Sequence, residues 1–101
     1  MHYLLSYEKA ADYAEREKSL MAAHLAHVFA AVERGELVLG GPLCDPMDGT
    51  NVLLFQAESA AAAEEFAAAD PYVQNGVVSK WRVRTWETVV GAGAAHPIGK
   101  Q

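Results

Sequence analysis

Hydrophobic and polar positions along the chain change period several times, and the changes divide it into six elements. Residues 1–7 are short, apolar and rich in Tyr and Leu, which predicts a strand. His2, Leu4 and Ser6 share one face and Tyr3, Leu5 and Tyr7 the other; leucine on both faces suits an inner strand. Residues 12–34 carry helical spacing, with Met21, Leu25, Val28 and Val32 recurring at i, i+4, i+7 and i+11 as the expected core face. Asp12 with Glu15 three residues later has capping-box spacing, and Gly35 stands where a helix stops. Residues 36–40 predict a second strand. The turn signals Gly40-Gly41-Pro42, Asp45-Pro46 and Asp48-Gly49 then lead into a third strand at residues 51–57, so the two strands read as a hairpin with a long loop. Ser59 is expected to cap an alanine-rich second helix to Ala69, with Phe66 its one large anchor. Asp70-Pro71 breaks it. An alternating strand follows over residues 76–90, and the Gly/Ala-rich residues 91–101 are expected to form a mobile tail.

The order β-α-β-β-α-β predicts a ferredoxin-like α+β fold, with an antiparallel four-stranded sheet and both helices on one face. The opposite sheet face carries apolar residues and would be bare, which is the physical case for a homodimer. One domain over residues 1–90 accommodates all of this, since 101 residues cannot support two cores.

Composition narrows the function classes. Half the chain is apolar (51%), enough for a core. A net charge of −5 without a Lys/Arg cluster argues against a nucleic-acid partner. No run approaches a membrane span and no secretory signal is visible, so the expected location is the cytoplasm, with no membrane partner. The single cysteine, Cys44, allows no internal disulfide and no cysteine-based zinc cluster. Between Pro42 and Pro46 it is expected to be a small buried filler; the competing reading is a nucleophile beside His24.

The residues able to carry chemistry are few. His24 sits at the boundary of the apolar stripe of the first helix, where an imidazole can reach a cleft and titrate near neutrality. The alternative is a histidine satisfied by a backbone carbonyl. His27 lies further round and is expected to be more exposed. Asp70 before Pro71 is a favoured helix cap, and one carboxylate oxygen can cap while the other accepts from His24, fixing the imidazole in one tautomer. Arg82 and Arg84 share a strand face with Trp86 and are candidates to grip a carboxylate, or else form a solvated face. Tyr72 is a candidate pocket wall. Trp81 and Trp86 read as core and interface anchors. A metal shared by His24, His27 and Asp70 is the weaker constellation, unsupported by any HExxH or cysteine pair, and no cofactor is implied.

Three local patterns converge in order and spacing. They are His-Leu-Ala-His at residues 24–27; Gly35-Glu36-Leu37-Val38-Leu39-Gly40-Gly41-Pro42; and Ala69-Asp70-Pro71-Tyr72-Val73, followed by Gly76-Val77 and a tryptophan-bearing strand. Together they resemble the YCII-related (YciI-like) family over roughly residues 1–90. The resemblance implies a ferredoxin-like dimer whose sheets pack into an α+β barrel, and a pocket with a His–Asp pair that maps onto His24 and Asp70. Most such proteins are of unassigned function; some relatives are dehydrochlorinase-like or muconolactone-isomerase-like lyases. Where the family often has basic residues shortly before the helix histidine and three residues after it, this chain has Leu20, Met21 and His27. Three functions follow as expectations: a small lyase or isomerase transferring a proton on a small organic acid through His24 and Asp70; a non-catalytic ligand-binding dimer; or an accessory module with a disused pocket.

Overall fold

A computed structural model describes residues 1–99; the last two residues of the expected tail, Lys100 and Gln101, lie outside the described residues. The strands are β1 (His2–Lys9), β2 (Leu37–Pro42), β3 (Thr50–Gln56) and β4 (Val78–Trp86). The helices are α1 (Tyr13–Arg16), α2 (Met21–Glu33), α3 (Ala61–Ala69) and α4 (Pro71–Gln74). They form one antiparallel sheet in the order β2-β3-β1-β4, the ferredoxin-like arrangement.

β1 is an inner strand. Its Tyr3, Leu5 and Tyr7 stand opposite Phe55, Leu53 and Asn51 of β3, and opposite Thr85, Val83 and Trp81 of β4. Tyr3, Leu5, Tyr7, Leu53 and Phe55 are all buried, and α2 and α3 cover them. On α3, Ala63 and Ala67 let the helix approach the sheet while Phe66 tilts against Phe55 at a centroid separation of 5.1 Å. Burying one such ring is worth about 1.5–3 kcal/mol.

The first helix is not continuous. α1 is a single turn, and the chain leaves the helical path at residues 17–20 before α2 begins. Two tertiary anchors explain the break. The Arg16 guanidinium donates to the carbonyls of Asn75 (2.6 Å) and Gly76 (3.0 Å) beyond α4, and Glu17 turns to the Lys9 ammonium of β1 (2.9 Å). Asp12 makes no capping bond, contrary to the expected box. At the other end of α2, Gly35 adopts φ +77° and the Gly35 and Glu36 amides donate to Val32 and Ala31, a Schellman stop that only a residue tolerant of left-handed backbone makes without strain. Ser59, the expected cap of α3, stands one residue before the actual cap position, Ala60, and its Oγ accepts from the Ala61 amide.

The inward row of α2 also differs from the expected one. Met21, Leu25 and Val32 remain more than two-fifths exposed. Ala31 is fully buried and Leu20 and Val28 pack on the core. The row Leu20, His24, His27 and Ala31 has the expected spacing, displaced by one residue. Trp81 and Trp86 are not core residues in the single chain (38% and 49% exposed), because β4 is an edge strand. Cys44 is exposed rather than buried, since the long β2–β3 connection stands away from the core. Residues 87–99 fold back on themselves: the His96 and Ile98 amides donate to the carbonyls of Thr88 and Val89, and Thr88 Oγ1 meets His2 Nδ1 at 2.6 Å. No helix among the described residues is long and apolar enough to cross a membrane.

Candidate functional site

Asp70 is fully buried where α3 ends and α4 begins, and three donors meet its carboxylate. Oδ1 accepts from the Tyr72 amide (2.9 Å) and from His24 Nδ1 (2.8 Å). Oδ2 accepts from the Tyr7 hydroxyl (2.8 Å). The cap and the imidazole therefore share one oxygen, and the second oxygen belongs to a residue the sequence reading did not include. A signal for Tyr7 exists: a tyrosine on the inward row of an inner strand must find a partner for its hydroxyl. Burial by itself pushes the Asp70 carboxyl up, but the bonds from His24, the Tyr72 amide and Tyr7 outweigh it and hold the group below the ordinary carboxylate range. The Tyr7 hydroxyl is driven far above its ordinary value by burial first and then by the Asp70 charge, so it stays a donor.

An ionised carboxylate only accepts, so His24 carries its proton on Nδ1. In the neutral ring Nε2 is then the lone-pair nitrogen, and among the described residues it has no hydrogen-bond partner. The ring stacks on Tyr72 with centroids 3.8 Å apart and planes within 6°, which fixes its rotation. Both rings line an open cavity of about 360 Å³ between α2 and the β2–β3 hairpin. That is the size of a small-molecule site. Its wall is largely apolar, with Leu25, Val28, Phe29 and Val32 of α2 facing Leu37 and Leu53. Its polar groups are Tyr7, Lys9, His24, Asn51 and Tyr72. Burial, followed by the charges of Glu17 and Asp70, raises the Tyr72 hydroxyl above its ordinary value.

Arg82 and Arg84 do not meet this site within the chain. They stand opposite Ser6 and Leu4 on the other face of the sheet, beside separate surface depressions. Cys44 does not line the cavity. His27 is turned away from Asp70: its Nε2 donates to the Phe66 carbonyl (2.8 Å) and its ring stacks on Phe66 at 4.4 Å. Like His24, it is half-buried. No grouping of three metal-ligating side chains occurs among the described residues. The cavity's cation, Lys9, lies at the end of β1 and was not legible as a site residue, because only the tertiary fold brings Glu17 and Tyr13 beside it.

Known proteins share this fold. The YCII-related domain matches residues 1–87. Protein YciI of Escherichia coli and that of Shigella flexneri are each 33% identical over 98 residues, covering 88% of this chain and 99% of theirs. A solved structure of 5-chloro-2-hydroxyhydroquinone dehydrochlorinase from Burkholderia phenoliruptrix, in complex with 2,5-dihydroxybenzoquinone, superposes with a TM-score of 0.71 at 22% identity, covering 87% of this chain and 95% of that one. A NIPSNAP domain protein from Burkholderia xenovorans shares the fold more distantly, with a TM-score of 0.53 at 13% identity over 92% of this chain and 96% of its own. The match across almost the whole sheet-and-helix unit, with the curated relatives covered nearly end to end, makes this chain a member of the YCII-related (YciI-like) family.

Proposed function

We propose that the chain is a small lyase- or isomerase-type enzyme that moves a proton on a small cyclic or unsaturated organic acid, with His24 Nε2 as the base. The observation that carries the reading is the His24 imidazole itself. Its Nδ1–H is committed to the Asp70 carboxylate at 2.8 Å, its ring is clamped on Tyr72, and it borders a cavity through which a substrate can reach it. Asp70 acts as a positioning residue, setting the tautomer and stabilising the imidazolium that forms. The apolar wall suits a ring or short unsaturated chain, and a ligand lying against it meets a lower dielectric than water, which strengthens each charge interaction with the reacting group.

In the elimination form, Nε2 takes a proton from carbon. The C–H electron pair forms a double bond and the leaving group departs with its own electrons. In the isomerisation form the proton returns to a different carbon. The dehydrochlorinase with the same fold supports the elimination form as the first to try.

The working unit is proposed to be a homodimer in the cytoplasm. Leu39 and Trp86 stand exposed on the uncovered side of the sheet with half-buried Leu4, Val52 and Leu54, a surface suited to a second copy. Sedimentation velocity is expected to give twice the chain mass; a monomer at micromolar concentration would remove the dimer from the proposal.

The test of the chemistry is incubation with chlorinated hydroxyhydroquinones and small unsaturated acids in deuterium oxide, following chloride release and deuterium uptake by NMR. Turnover that vanishes in His24→Gln is the expected result. Turnover that survives this change removes His24 as the base. Ligand binding with no turnover of any compound favours a binding module instead.

A further inference from the structure

We infer that Lys9 is the residue that holds an anionic oxygen of the ligand, and that Glu17, already bonded to its ammonium, competes with that oxygen. The inference deepens the reading above and rests on the His24 cavity being the ligand site. Lys9 supplies the one Lys or Arg side chain among the described residues that line the cavity. Its side chain is only 15% exposed, an uncommon state for lysine without a partner. The partner is Glu17, whose carboxylate accepts from Nζ at 2.9 Å but which does not itself line the cavity. An ammonium has three donors, and this bond uses one. The tyrosine rings on either side add cation–π contacts, with Nζ 4.9 Å from the Tyr13 centroid and 5.6 Å from that of Tyr72.

The position suits the chemistry. Tyr72 touches both the His24 imidazole and the Lys9 ammonium, so a ligand lying along this wall meets a base and a cation together. A carboxylate or ring oxyanion on Lys9 would orient the ligand toward Nε2 in an otherwise apolar cleft. Arg82 and Arg84 are on the other side of the sheet and do not reach the same ligand within the chain. Glu17 competes for the same donors, and it comes from the segment where the helix breaks. It thereby sets how tightly an incoming anion binds. The substrate class is accordingly a small acid or acidic ring carrying one anionic oxygen beside the reacting carbon.

Binding of salicylate and of its neutral counterpart salicylamide, read from the His24 and Tyr72 ring signals by NMR titration, tests the assignment. Wild type is expected to prefer salicylate. Lys9→Met is expected to weaken salicylate about tenfold or more while leaving salicylamide unchanged, the scale of one charge-assisted hydrogen bond. Glu17→Gln is expected to tighten salicylate, a gain that no purely structural role for the pair produces. The double variant Lys9→Met/Glu17→Gln removes both charges together; it keeps the comparison valid should Lys9→Met alone fold poorly, and it is expected to bind salicylate as weakly as Lys9→Met. Equal affinity for the two probes, unchanged salicylate binding in the Lys9 variants, or a loss that appears in Arg82→Ala instead would overturn the assignment. Turnover that survives His24→Gln would sink the catalytic reading and leave a Lys9-dependent affinity standing, so the two failures are separable.

Discussion

His24 and His27 sit one turn apart on the inward row of α2, and both rings are half-buried, stacked and hydrogen-bonded. They differ in what accepts their proton. His24 gives Nδ1–H to a buried carboxylate that two further donors hold in place, leaving Nε2 for the cavity. His27 gives Nε2–H to the Phe66 carbonyl and lies against the Phe66 ring, at the junction of α2 and α3. The two rings are thus held in opposite tautomers. A neutral carbonyl holds a ring in place, whereas a buried carboxylate also stabilises the charge the ring acquires when it takes a proton.

The contrast is sharpest in activity. His24→Gln is expected to lower turnover of any substrate found by about 100-fold or more, the scale of a lost general base, while His27→Gln stays near wild type. Equal losses in the two variants would erase the distinction. Next in size is the anchor of the first histidine. Asp70→Ala leaves the Tyr7 hydroxyl, the Tyr72 amide and His24 without their acceptor, and is expected to cost about 3–5 kcal/mol in urea unfolding.

The same carboxylate gives the protein an acid dependence whose sign is set. Its folded value lies below the ordinary aspartate value of about 3.9 that applies in the unfolded chain. Its contribution to stability is therefore fully present above that unfolded value and is lost as pH falls through the lower folded one. Asp70→Asn is expected to flatten that part of the stability–pH curve; an unchanged acid limb would mean that other carboxylates govern it. Tyr7→Phe frees one carboxylate oxygen and is expected to cost about 1–3 kcal/mol, with a smaller effect on turnover than any change at His24. Smallest is His27→Gln, at about 1 kcal/mol from one bond to a carbonyl.

The element order was legible because each strand and helix carries its own period and its own stop. Gly35 ends α2, Pro71 follows the cap at Asp70, and leucine on both faces of β1 marks an inner strand. The row of α2 that turns inward was not legible. Apolar content favours Met21, Leu25 and Val32, yet these border the cavity or stay exposed, while Leu20, His24, His27 and Ala31 face the sheet. Periodicity reports the spacing of a face; which of two adjacent faces turns inward depends on what lies opposite. Here that is the Asp70 carboxylate and the Phe66 carbonyl, which reward polar rings.

By itself, then, the sequence determined the strand and helix order and the family resemblance, because these rest on local periods and on motifs short enough to be read in place; the resemblance in turn implied the pairing of His24 with Asp70 as the candidate chemistry. Tertiary structure alone decided the remainder: that Tyr7 holds the second oxygen of Asp70, that Lys9 rather than Arg82 or Arg84 shares the cavity with His24, and that the first helix breaks at residues 17–20. The physical reason is common to all three. Each depends on hydrogen bonds or ion pairs between groups from different elements, whose geometry exists only once β1, α2 and the turn at Asp70 have been brought together over the same face of the sheet.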